Sequence, residues 1–71
     1  MAYEIARRHQ GVRTVLWRGC SLTKGEELFP LYLEEARADR FDGYLLLVDR
    51  DTDELASWAM VEGGEARWGI W

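Results

Sequence analysis

Apolar residues dominate the last two-fifths of the chain, in three short runs at residues 44–49, 55–62 and 66–71. Short apolar runs bounded by turn residues read as strands with apolar side chains on both faces. The runs are divided by Asp51-Thr52 and Gly63-Gly64, residue types that turn a chain tightly back. The segment therefore reads as an antiparallel meander. Pairing outward from those two tips assigns Tyr44, Leu46, Val48, Leu55, Ser57, Ala59, Val61, Ala66, Trp68 and Ile70 to one face. That face mixes small and large side chains, as a layer under a helix does. The other face receives Leu45, Leu47, Ala56, Trp58, Met60, Arg67 and Trp71, and it is apolar as well.

Upstream, residues 2–9 form a weaker strand and residues 12–19 a stronger one, rich in Val, Thr, Leu and Trp. Gln10-Gly11 between them suits a two-residue hairpin turn. With that tip, Arg8 faces Arg13, a like-charge pair that costs stability. The conflict implies either a looser turn or an acidic group close by.

Ser21 and Thr23 are candidate helix caps, and Thr23 with Glu26 has capping-box spacing. Phe29, Tyr32, Leu33 and Ala36 share one helical face, flanked by Leu28 and Leu31. Pro30 opposes a continuous helix, because mid-helix proline loses a hydrogen bond and clashes one turn back. The expectation is a regular helix over 30–39, with 23–29 as a turn or separate short helix. Strand, strand, helix and three strands make one domain over residues 1–71. Its class is α+β, a mostly antiparallel five-stranded sheet (ββαβββ) with one helix packed on one face. One helix covers one face, so a second, tryptophan-bearing face is left for a partner.

Size sharpens this expectation. A chain of 71 residues has a core that rarely supplies more than about 3–5 kcal/mol. The single cysteine excludes an internal disulfide, and no Cys–His cluster suggests zinc. Aromatic mass is the compensation: four Trp, three Tyr and two Phe. A lone cysteine suits a reducing cytoplasm. The first residues lack a signal-peptide pattern, and no apolar run approaches a membrane span. The expected location is cytoplasmic.

The net charge of −4 conceals an asymmetry. Residues 1–25 carry Arg7, Arg8, Arg13, Arg18 and Lys24 against Glu4, whereas acids dominate the remainder. The acid excess argues against direct nucleic-acid binding. It leaves either internal pairing between the halves or a basic edge and an acidic flank for partners.

No reaction centre emerges. Asp49, Asp51 and Asp53 alternate like the opening of a calcium loop, but that loop needs glycine and glutamate where Glu54 and Met60 stand. They read as a solvated hairpin tip. His9 and Cys20 fall at opposite ends of one strand, roughly 30 Å apart, which excludes a catalytic pair. Cys20 reads as a small buried hydrophobe and His9 as a surface turn residue. The adjacent pairs Glu26-Glu27 and Glu34-Glu35 point apart on a helix and do not converge. The chain reads as non-enzymatic, with no cofactor or metal. Trp58, Met60, Arg67 and Trp71 have the composition of an interface centre. Arg7, Arg8 and Arg13 on the first hairpin form a second candidate surface.

Several features run through nearly the whole chain: the N-terminal hairpin, the Ser21-Leu22 helix entry, and Arg40-Phe41-Asp42-Gly43 before a Leu-rich strand. Leu55-Ala56 then opens the next strand, and Arg67-Trp68 lies in a short last one. In these the chain resembles small ββαβββ proteins of bacteriophages and mobile elements, a group that includes some anti-CRISPR inhibitors of type I systems. The resemblance implies a non-enzymatic protein that binds a host nucleoprotein complex and blocks it. The longer helix entry with Pro30 and the acid excess depart from that pattern. Residues 43–58, preceded by Glu26-Glu27-Leu28, also look like the central hairpin of antibiotic-biosynthesis-monooxygenase-like α+β barrels. That resemblance implies a homodimeric ferredoxin-like barrel, an enzyme or small-ligand binder, but its second helix and fourth strand have no counterpart here.

Overall fold

The computed structural model describes residues 1–68. They form β1 (Tyr3–His9), β2 (Val12–Gly19), α1 (Leu22–Ala38), β3 (Gly43–Asp49), β4 (Glu54–Glu62) and β5 (Glu65–Trp68). The strands make one antiparallel sheet in the order β2-β1-β3-β4-β5. This is the α+β architecture that the order of apolar runs and turns predicts. β2 and β3 run in the same direction with β1 between them, so α1 crosses from one side of β1 to the other. Ile70 and Trp71 lie outside the described residues.

All three hairpin tips fall where turn chemistry places them. Gln10 and Gly11 both have positive φ, 49° and 79°, the geometry that matches the twist of paired strands. His9 pairs with Val12 and Arg8 with Arg13 across that turn. Asp49 pairs with Glu54, and Glu62 with Glu65, across the other two.

Two bulges reset the register beyond these tips. In β4, Leu55 pairs with Val48 but Ser57 pairs with Leu47, leaving Ala56 as an extra residue. In β2, Val15 pairs with Ala6 but Trp17 pairs with Ile5, leaving Leu16 extra. The β4 bulge overturns the face assignment read from strict alternation. Leu45 and Leu47 join Ser57, Ala59 and Val61 on the helix side, whereas Tyr44 and Leu46 join Met60 and Trp58 on the opposite side. A one-residue slip exchanges the two faces of a strand. Here the slip lets β3 bury Leu45 and Leu47 completely against the helix.

The core is Tyr3, Ile5, Leu45, Leu47, Ala59 and Val61 from the sheet against Phe29, Leu33 and Ala36 from α1. Leu16, Trp17 and Ala56 pack at its margin, so both extra bulge residues are used for burial. Contrary to the sequence expectation, α1 is continuous from Leu22 to Ala38 with Pro30 inside it. Ser21, not Thr23, is the N-cap, and its Oγ accepts from the Lys24 amide at 3.2 Å. Gly25 explains why the first turns dock. A Cβ there would lie 2.9 Å from Leu47 Cδ1 and 3.2 Å from Trp17 Cζ3. The helix thus approaches the sheet closely before Pro30, which faces solvent. Packing of Gly25 and Phe29 holds the segment that proline propensity alone would break.

Arg37 Nε donates to the Gly64 carbonyl at 3.1 Å, and Asp42 Oδ1 accepts from the Gly63 amide at 2.9 Å. These bonds pin the β4–β5 turn to the helix end of the domain. If tertiary packing carries α1 through a local penalty, Pro30→Ala restores a backbone donor at an exposed site. It should raise the unfolding free energy by about 1–3 kcal/mol, read from urea denaturation. A destabilised variant would show that the helix depends on the proline.

Candidate functional site: the open sheet face

The face opposite α1 is built from cross-strand rows. One row spans all five strands: Arg13, Arg8, Tyr44, Met60 and Arg67. The next holds Val15, Ala6, Leu46 and Trp58, and the third Arg18, Glu4, Val48 and Leu55. At about 4.8 Å between strands, the first row is roughly 19 Å long. Its middle is aromatic and apolar, and arginines stand at both ends.

No described element covers this face. Tyr44 is 45% exposed, Leu55 47% and Val15 39%. Leu46, Trp58 and Met60 are half-buried. The Tyr44 and Trp58 rings meet edge to face with centroids 6.3 Å apart, which fixes both in the plane of the patch. A depression of about 450 Å³ lies over Tyr44, Leu46, Val48 and Leu55, walled by Arg8, Arg13 and Asp53.

Beside it sits a charge cluster that sequence patterning does not single out. Glu4 is buried, 2% exposed, in the third row of this face. Its Oε1 accepts from Arg18 Nε at 3.0 Å and lies 3.5 Å from Arg50 Nε, and its Oε2 is paired with Arg13. A buried carboxylate is tolerated when it is paired and hydrogen-bonded. Three guanidinium groups do this here. The apparent repulsion between Arg8 and Arg13 was the one sequence signal of an acid nearby, and Glu4 is that acid.

The predicted contact residues fall into separate groups. Trp58, Met60 and Arg67 share the open face, and Arg8 and Arg13 lie on that same face. Arg7 does not join them. It points to the helix side, donates to Asp39 Oδ2 at 2.9 Å, and lies 5.2 Å from the Phe41 ring centroid. Trp71 lies outside the described residues. Trp68 pairs in register with Ala59.

Other sequence candidates resolve into structural parts. Cys20 is exposed rather than buried, because β2 has ended and Ser21 already caps the helix. His9 is exposed, its Nδ1 2.5 Å from the Asp42 carbonyl oxygen. At the β3–β4 tip, Asp49 Oδ1 accepts from the Asp51 amide at 2.9 Å, and Asp51 Oδ2 accepts from the Ala2 amide at 3.2 Å. Among the described residues, no group of three His, Cys, Asp or Glu side chains is arranged to hold a metal ion. No helix among the described residues is long and apolar enough to cross a membrane.

Glu4→Ala removes the shared partner of three arginines. Those arginines remain partly exposed and can turn to water, so the loss falls below that of a fully buried pair. It should be about 1–3 kcal/mol in urea denaturation at neutral pH. A variant as stable as the wild type would mean that the cluster contributes nothing to the fold. Comparison with protein-family models, with curated proteins and with solved structures finds no match to this chain.

Proposed function

We propose that this chain is a non-enzymatic protein-binding module that docks through its open sheet face. One observation supports the reading above others: Tyr44, Leu46, Leu55, Trp58 and Met60 form a continuous apolar band with no described element over it. Large contiguous apolar patches on small proteins mark interaction sites. Aromatics, Met and Arg together make the composition of interface centres. The edge-to-face ring pair gives the patch a rigid anchor that loses little freedom on binding.

The sharpest form of the proposal is a phage- or mobile-element-encoded inhibitor that blocks a host nucleoprotein complex sterically. That form draws on the pattern resemblance to anti-CRISPR proteins and on nothing in the site geometry. The competing form is a sheet-on-sheet homodimer, the arrangement of the α+β barrels. Against it, a chain with one helix per domain would bring two arginine-rimmed faces together.

Two measurements decide. Immobilised protein should capture a partner from a bacterial lysate, and Trp58→Ala should reduce that capture about tenfold or more, with its circular dichroism unchanged. Capture that is indifferent to Trp58 sinks the open-face reading. In sedimentation equilibrium the chain should be a monomer; a tight dimer that dissociates with Trp58→Ala would establish the homodimer instead.

A further inference from the structure

The open face has a second recognition element, and it says what kind of partner segment fits. We propose that Arg13, Arg18 and Arg50, gathered by buried Glu4, form an anchor for carboxylates, and that the partner presents an acidic segment studded with large apolar residues. This rests on the docking reading above and specifies its chemistry.

The cluster is organised before any ligand arrives. Arg18 and Arg50 converge on one oxygen of Glu4 at 3.0 and 3.5 Å, and Arg13 is paired with the other. Glu4 itself is sealed, so its charge cannot leave for water. The Arg13, Arg18 and Arg50 side chains are 44%, 59% and 45% exposed, so the cluster stays open to a ligand. Arginine forks of this kind match carboxylates in bidentate geometry. Fixing them in advance lowers the ordering cost of binding.

Charge is left over. Arg8, Arg13, Arg18 and Arg50 line the two adjoining depressions together with only Glu4 and Asp53; four cations against two anions leave two positive charges. Arg8 has no ion pair among the described residues. Arg13 and Asp53 line both depressions, so the basic hollow runs directly into the apolar one over Tyr44, Leu46 and Leu55. A ligand that fills both needs carboxylates and bulky apolar groups a few ångströms apart, as in a peptide.

The same charges disfavour the alternatives. A nucleic-acid strand would continue past the cluster into the acidic β3–β4 tip, with Asp49, Asp51, Asp53 and Glu54, on a chain of net charge −4. A second copy would offer its acidic helix flank, Glu26, Glu27, Glu34 and Glu35, on the side of the sheet opposite the cluster. That would make a head-to-tail contact that does not close into a dimer.

Fluorescence anisotropy tests this directly with a short labelled peptide that alternates glutamate with leucine and phenylalanine. Its glutamine analogue and a single-stranded oligonucleotide of equal charge serve as competitors. The glutamate peptide should bind about tenfold or more tightly than the glutamine analogue, and weaken as salt rises. Arg13→Gln with Arg18→Gln should abolish that preference, whereas Lys24→Gln, away from this face, should not. Equal binding of both peptides, no binding of either, or tighter binding of the oligonucleotide overturns the proposal. Growth of sedimenting mass with concentration, suppressed by the double variant, would replace it with self-association. The capture experiment separates the two levels. If Trp58→Ala loses the lysate partner but the arginine double variant keeps it, the carboxylate anchor is wrong and the docking face stands. If both variants keep it, the docking face itself is wrong.

Discussion

Phe29, Leu33 and Ala36 of α1 press onto Ile5, Leu45, Leu47, Ala59 and Val61, and this single contact surface holds the domain together. The chain has no disulfide and few residues, so most of its apolar burial is concentrated there. Everything else is arranged around keeping that contact tight. Gly25 lets the helix approach Leu47 and Trp17, Ser21 secures its first turn, and Arg37 ties its last turn to the β4–β5 hairpin. The helix tolerates Pro30 because the residues on either side of it are anchored, and the proline ring faces water.

That contact also creates the open face. A sheet of five strands has two sides, and the helix is used up on one. The two bulges decide which residues are left. An extra residue at Ala56 turns Leu45 and Leu47 inward and leaves Tyr44 and Leu46 beside Trp58 and Met60 on the outside. An extra residue at Leu16 turns Trp17 inward and places Arg18 opposite Glu4. The aromatic patch and the arginine cluster are thus products of the same register shifts that complete the core. Packing and recognition are therefore coupled: a change that removed a bulge would disturb both at once.

The charge distribution follows the same logic. Four arginines fall in the first quarter of the chain, and the hairpin lays three of them, Arg8, Arg13 and Arg18, along one edge of the open face. Arg7 alone is diverted to the helix side, where Asp39 and Phe41 hold it. Glu4, the only acid in that quarter, becomes the buried hub of three arginines. An acid excess over the whole chain therefore coexists with a locally basic surface, which a net charge alone does not reveal.

Local chemistry determined the element order, the three hairpin tips and the presence of a second apolar face. Turns such as Gln10-Gly11 depend on the φ values of the turn residues themselves, and alternation depends only on neighbours in the chain. Trp58, Met60 and Arg67 could be placed together because the β4–β5 pairing contains no bulge. Tertiary structure alone decided the rest. Nothing within β4 marks Ala56 as an extra residue; the bulge is chosen because Leu45 and Leu47 gain burial under a helix encoded elsewhere in the chain. In the same way, Phe29 and Gly25 outweigh Pro30, the end of β2 exposes Cys20, and arginines distant in sequence converge on Glu4. Each of these outcomes is set by contacts between segments far apart along the chain, which a local pattern does not contain.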